Sequence, residues 1–353
     1  MSTTLPASWT AFNLPEGFDP SYAGGPASVP VPFFIVGSSD GQVLVVDVKG
    51  TPTVKPRVVS YDREAVNGIA VQGAWLAAST RASITLRSLI PNERKAISVQ
   101  TAPCGAHGLA TISDGCFVAA GGKTGVIMLN PADRDGSLGV LAPPDTGPYV
   151  YKLCTLPRAS GRDLLLCACL GAGLGAMELR WGEPNYSMRM ATFSTGDIVD
   201  LCPVGKDGAV AILTRDGTLV LFDDPLHGTK PRNVKFKTIA GTAYRVVCCG
   251  DDLVVLTSEA VYVLSGLAKK FLRGLDSNTF HTDILVIDAD AADINVAHDR
   301  WLLLVGDGVM AVDVRELHGP GAGRIVLSET PAELNSGFDS RTIRQNAQSL
   351  AFA

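Results

Sequence analysis

Histidine and cysteine residues, which often hold metals or carry catalysis, are not spaced for either role here. The five histidines are His107, His227, His281, His298 and His318. None forms the HxH or HExxH spacing that holds a metal ion. The eight cysteines form no CxxC pair. The sequence therefore predicts no catalytic residue, no metal ion and no cofactor.

Tyrosine, arginine and lysine residues instead recur where strands are predicted to begin or to turn. Tyr and Arg are frequent in binding hot spots, because each buries a large area and keeps a polar group. Together with Lys they favour an acidic or phosphorylated peptide. The candidate partner-binding residues are Arg81, His107, Lys123, Tyr149, Tyr151, Lys152, Arg215, Tyr244 and Arg245.

An internal repeat supplies the elements that position these residues. A large aliphatic residue followed by Ala or Cys ends a short apolar strand, and a turn and a second apolar strand follow. The copies are 67–70, 107–110, 151–154, 199–202, 245–248, 294–297 and 348–351. Their aliphatic positions are separated by 40, 44, 48, 46, 49 and 54 residues. A small residue beside each aliphatic residue is typical of an inner strand pressed between neighbouring sheets.

The copy at the C-terminus has no second strand after it. A suitable strand occurs near the start of the chain, at Phe33–Gly37. We therefore predict an all-β fold, a seven-bladed β-propeller whose ring is closed by the C-terminal strand joining the N-terminal blade. Residues 1–31, rich in Pro and Gly with spaced aromatics, are predicted to be an extension outside a propeller of residues 32–353. This extension is either a strap along the propeller or a docking segment that orders on a partner.

Three turns and their following strands resemble the WD40 repeat, each with an Asp-Gly turn and a terminal Asp. They are Asp40–Asp47, Asp216–Asp223 and Asp307–Asp313. Gly105–Leu109 is similar to the histidine-led start of a WD40 inner strand. The resemblance implies a WD40-like propeller, and a quinoprotein-like or lactonase-like propeller fits the repeat length almost as well. The Trp of the WD40 motif is replaced by Val46, Phe222 and Val312, so the family's hydrogen-bond network is not carried over.

The composition and charge of the chain limit the classes of partner and the cell compartment that we expect. The net charge is −5, from 30 Lys+Arg and 35 Asp+Glu, with no dense basic run, so we expect no direct contact with nucleic acid. The longest apolar stretch without charge, Leu164–Met177, has 14 residues, fewer than the roughly 20 that span a bilayer. We see no signal peptide at the N-terminus. We expect an intracellular protein, cytoplasmic or nuclear, with reduced cysteines and no membrane insertion.

These observations predict a non-enzymatic protein-interaction scaffold, a subunit of a multiprotein complex that binds other proteins through loops on one propeller face. The residues at the starts of the inner strands offer no convergent carboxylates for acid–base catalysis. Two alternatives stay open: a lactonase-like propeller enzyme acting at the mouth of the central channel, and a propeller associated with nucleic acid.

Overall fold

Strands dominate the computed structural model. It describes residues 9–12, 20–24, 33–38, 41–47, 57–61, 64–66, 68–72, 75–80, 83–88, 96–100, 108–112, 117–120, 126–131, 137–142, 150–156, 163–169, 173–179, 189–190, 198–205, 209–225, 231–274, 282–287, 291–297, 299–305, 309–318, 324–329 and 332–333. Within these ranges the strands form seven antiparallel sheets, numbered here 1 to 7. This confirms the predicted all-β class.

The first four sheets each contain four strands. Before them in the chain comes β1 (Trp9–Phe12). Sheet 1 is ordered β2 (Pro20–Gly24), β3 (Phe33–Ser38), β4 (Gln42–Asp47), β5 (Arg57–Tyr61). Sheet 2 is β6 (Gly68–Gln72), β7 (Trp75–Ser79), β8 (Ser83–Ser88), β9 (Ala96–Gln100). Sheet 3 is β10 (Gly108–Thr111), β11 (Phe117–Ala120), β12 (Val126–Leu129), β13 (Ser137–Ala142). Sheet 4 is β14 (Val150–Leu156), β15 (Asp163–Cys169), β16 (Gly173–Leu179), β17 (Arg189–Met190).

The last three sheets recruit strands that lie elsewhere in the chain. Sheet 5 is β18 (Ile198–Val204), β19 (Ala209–Thr214), β20 (Leu219–Phe222), β21 (Arg232–Lys235), with β30 (Ala332–Glu333) as a fifth strand. Sheet 6 is β22 (Ala243–Cys249), β23 (Asp252–Thr257), β24 (Val261–Leu264), β25 (Thr282–Ile287), with β29 (Arg324–Glu329) as a fifth. Sheet 7 is β26 (Asp293–Ala297), β27 (Trp301–Val305), β28 (Val309–Asp313) and β1. The short helices α1 (Leu267–Leu272) and α2 (Val314–Leu317) follow β24 and β28.

The repeat identified in the sequence corresponds to the first strands of sheets 2 to 7. The predicted segments 67–70, 107–110, 151–154, 199–202, 245–248 and 294–297 overlap β6, β10, β14, β18, β22 and β26. Each first strand contacts the first strand of the next sheet, and β26 contacts β2. The small residues are buried in apolar clusters that join neighbouring sheets, as Ala70, Ala110, Cys154 and Cys202 show. The second strands are buried on both faces, as in β19 and β23, which explains their continuous apolar sequences.

The predicted pairing of the C-terminal strand is wrong, because another strand occupies that place. β2 pairs with β3, for example Tyr22 opposite Gly37 and Gly24 opposite Ile35, and β4 holds the other edge of β3. No edge of β3 is left for residues 348–351, which themselves lie outside the described residues. β1 pairs with β28, with Trp9 opposite Val312. Two strands from the predicted N-terminal extension thus lie in the sheets, while the domain boundary at residue 31 stays a prediction.

Candidate partner-binding face

The starts of the first strands and the turns between second and third strands lie at the same end of each sheet. The antiparallel registers require this arrangement, because Ile198 at the start of β18 pairs with Thr214 at the end of β19. Arg215 follows Thr214 in the turn, so this turn lies at the end where β18 begins. Of the candidate residues, the described ones are Tyr151, Lys152, Arg215, Tyr244 and Arg245. Arg81, His107, Lys123 and Tyr149 lie outside the described residues.

A β-bulge interrupts the start of β14, β18 and β22 at equivalent positions. The register skips from Val150 to Lys152, from Ile198 to Asp200 and from Ala243 to Arg245. The residues left without a register partner are Tyr151, Val199 and Tyr244. A bulge changes the direction of the side chain that it carries and is frequent beside functional sites. The sequence pattern gave no sign of these bulges, which depend on pairing with the second strand.

The two bulged tyrosines have different surroundings. Tyr151 is half-buried, packs against the apolar cluster between sheets 4 and 5, and donates a hydrogen bond from its hydroxyl to the carbonyl of Ile198. Tyr244 is 48% exposed. No hydrogen bond of the Tyr244 side chain is found within the described part of the chain. Tyr151 therefore joins two neighbouring sheets, whereas Tyr244 offers its ring to solvent.

Next to the bulges, an ionic network links the first strands of sheets 4 to 7. Arg245 Nε lies 2.7 Å from Asp293 Oδ1, and its Nη1 lies 3.5 Å from Asp200 Oδ2. Lys152 Nζ lies 3.6 Å from Asp200 Oδ1. Asp200 also accepts the backbone N–H of Val246 at 3.0 Å, across the boundary between sheets 5 and 6. These contacts join four consecutive sheets.

The network neutralises two of the predicted binding cations. The side chains of Asp200 and Asp293 are each 5% exposed and that of Arg245 is 15% exposed, against 27% for Lys152. Two buried carboxylates thus balance two cations. Sequence reasoning missed both carboxylates. A usable signal was the opposite charge of Lys152 and Asp200, which occupy the same position in neighbouring repeats.

Arg215 stands in a well-ordered turn. The hydroxyl of Thr214 donates to Asp216 Oδ1 at 2.6 Å, the hydroxyl of Thr218 donates to Asp216 Oδ2 at 2.9 Å, and Lys235 Nζ lies 3.2 Å from Oδ2. Partial burial raises the pKa of Asp216, but these hydrogen bonds and the Lys235 charge outweigh burial and lower it. Gly217 adopts φ 78°, a conformation that costs glycine little. The turn holds Arg215 exposed at the rim of the face.

The described residues give little support to a metal site, a reactive cysteine or a hydrolase nucleophile. No group of three or more His, Cys, Asp or Glu side chains is placed there to hold a metal ion. Burial raises the pKa of the thiols of Cys169 and Cys248 to about 11, which lowers their reactivity. Gly37–Gly41 has the spacing Gly-x-Ser-x-Gly, but it joins β3 to β4. A hydrolase elbow requires a strand followed by a helix.

No described helix is long and apolar enough to cross a membrane.

Comparison with known proteins shows the fold alone. No family model and no curated protein matches the sequence. Among solved structures, the WD40 repeats of RRP9 are similar at a TM-score of 0.65 and 11% identity, over 88% of this chain and 99% of that one. U3-55K is similar at a TM-score of 0.58 and 12% identity, over 84% of this chain and 100% of that one. The chain has the β-propeller fold of WD40 repeat proteins.

Proposed function

We propose that this protein is a non-enzymatic interaction scaffold, a subunit of a multiprotein complex. It binds a partner protein at the end of sheets 5 and 6 that carries Tyr244 and Arg215. The observation that supports this most is the exposed ring of Tyr244 on a bulge whose neighbours are fixed. A tyrosine has only two side-chain torsions to order, so on a fixed backbone it loses little conformational entropy on binding, which favours it as an interface anchor.

The surroundings of Tyr244 are rigid enough to act as a docking platform. Arg245, the next residue, is fixed between two buried carboxylates. The N–H of Thr242 donates to the Ser258 hydroxyl at 3.0 Å, which ties the segment before Tyr244 to the neighbouring turn. A preorganised surface avoids the free energy of ordering loops on association.

The chemistry of the partner follows from this arrangement. The ring of Tyr244 and the side chain of Arg215 are both exposed at this end of the sheets, so a partner that docks here meets an aromatic ring and a positive charge. We propose that it inserts an apolar group against Tyr244 and places an acidic group near Arg215. A phosphorylated residue meets the same requirement as a carboxylate.

Affinity capture with matched variants tests this function. Wild-type protein and the variants Tyr244→Ala and Arg215→Glu serve as bait in native extract, and captured proteins are quantified by mass spectrometry. We expect one defined set of proteins with wild type and a loss of at least about tenfold with Tyr244→Ala, since a hot-spot truncation costs more than about 1.4 kcal/mol.

The control is Leu272→Ala at the opposite end of sheet 6. Leu272 is 46% exposed, close to the 48% of Tyr244, so the two variants remove similar exposed apolar groups. Equal capture by wild type and Tyr244→Ala, or equal losses with Tyr244→Ala and Leu272→Ala, contradicts binding at this face.

A further inference from the structure

The outer edge of sheet 6 is covered by a strand that does not belong to the repeat. β29 pairs antiparallel with β25 over six consecutive positions, from Thr282 opposite Glu329 to Ile287 opposite Arg324. Between β25 and β29 the chain first forms β26, β27 and β28 of sheet 7. Sheet 6 already has four strands without β29, as sheets 1 to 4 do. β29 is therefore an addition to a complete sheet.

The same segment continues onto the next sheet. After β29, β30 pairs with β21 of sheet 5, with Ala332 opposite Lys235 and Glu333 opposite Val234. Sheets 5 and 6 are the five-stranded sheets among those described. β29 and β30 thus lie at the outer edges of two neighbouring sheets, as an extended peptide ligand does in strand addition.

The strand beneath β29 is unusually apolar for an outer strand. In β25, Ile284, Leu285 and Ile287 are at most 4% exposed. Ile284 belongs to the core between sheets 5 and 6, whereas Leu285 and Ile287 belong to the core between sheets 6 and 7. Apolar packing on both faces holds β25 in its place at the edge of the four-stranded sheet. An uncovered edge of this kind pairs readily with another strand.

We propose that the outer edge of β25 is a strand-addition site, which β29 occupies in the free protein and an extended segment of another protein occupies in a complex. The register defines the ligand. Leu327, Val326 and Ile325 stand opposite Ile284, Leu285 and Val286, so the ligand has three consecutive aliphatic residues with polar residues on either side. This surface lies at the outer rim of the sheets and is independent of the face that carries Tyr244.

Peptide exchange on the full chain tests the proposal. A protease site is inserted between His318 and Arg324, and the folded protein is cleaved there. A fluorescent peptide of residues 324–333 is then titrated, and binding is followed by anisotropy. We expect the cleaved protein to bind this peptide at least about tenfold more tightly than the uncleaved protein, in which the tethered β29 competes at high effective concentration.

A peptide with both Val326→Pro and Leu327→Pro is the matched control. Neighbouring positions of an antiparallel strand alternate between donating and not donating to the partner strand, so the double change removes one ladder N–H in either case. We expect its binding to weaken at least about tenfold. Equal binding of the two peptides, equal binding to cleaved and uncleaved protein, or unfolding on cleavage each overturns the proposal, the last because β29 is then an integral strand.

Discussion

At the scale of single residues, Asp313 matches a sequence motif but has hydrogen-bond partners that the motif does not contain. The sequence marks it as the terminal Asp of a WD40-like turn and strand, and the structure places it at the end of β28, 3% exposed. Its partners are arginines: Arg300 Nε donates at 2.7 Å, and Arg315 Nη2 donates at 3.1 Å to the same oxygen. The guanidinium of Arg300 also stacks over the ring of Trp301. The motif did not predict these donors, because Arg300 lies before β27 and follows no repeat rule.

Asp313→Asn tests this carboxylate through pH. Burial raises the pKa of Asp313, but the hydrogen bonds from Arg300 and Arg315 outweigh it and lower the pKa from 3.8 to about 2. A lowered folded-state pKa contributes stability above the unfolded value and loses it as pH falls towards 2. We expect the variant to lose about 1–3 kcal/mol at pH 7 and to show a flatter decline of stability between pH 4 and 2. Urea unfolding across pH measures both effects.

Glu259→Gln is the control. Glu259 is exposed, so this change also removes one negative charge but breaks no buried ion pair. It should follow the wild-type profile. If Asp313→Asn also follows that profile, the arginine contacts do not stabilise the fold.

At the scale of elements, close approach of first strands explains the glycine that begins β10. A Cβ added to Gly108 lies 3.3 Å from the backbone nitrogen of Leu153 and 3.5 Å from Lys152 Cα, both in β14 of the next sheet. Backbone cannot rotate away as a side chain does. We expect Gly108→Ala to destabilise slightly and Gly108→Val by about 1–3 kcal/mol, the usual cost of overpacking. The denaturant midpoints of the two variants measure the loss of stability. An unchanged midpoint for Gly108→Val refutes the close packing of β10 on β14.

The repeat predicted six of the first strands because burial on both faces leaves an aliphatic–small pattern. The seventh copy of the pattern, at Leu350-Ala351, is not the first strand of sheet 1. That place is held by β2, in which the aromatic Tyr22 precedes Ala23. Local composition pointed away from β2, since Pro20 and Gly24 are typical of turns. The bulges were beyond prediction for a related reason, because they depend on a one-residue shift in register. The opposite charges of Lys152 and Asp200 signalled only part of the ionic network, since its other contacts depend on which first strands are neighbours.

At the scale of the whole molecule, the two N-terminal strands connect the beginning of the chain to its last sheet. β2 contacts β26 of sheet 7 and β6 of sheet 2, and β1 forms the outer strand of sheet 7. Sheets 1 and 7 therefore depend on β1 and β2 for one strand each. Deleting residues 1–24 exposes the edges of β3 and β28 together, and exposed edges promote aggregation. We expect this deletion to abolish the soluble monomer or to make unfolding non-cooperative.

Deletion of residues 344–353 is the matched truncation, because β2 and β4 already occupy both edges of β3. We expect it to shift the melting temperature by no more than about 2 °C, equivalent to about 1.5 kcal/mol for a chain of this size. Calorimetry and light scattering on both truncations show which end of the chain supplies the strand that pairs with β3. A folded, monomeric protein lacking residues 1–24, together with unfolding on loss of 344–353, contradicts the N-terminal pairing, because the C-terminal segment then holds the edge of β3.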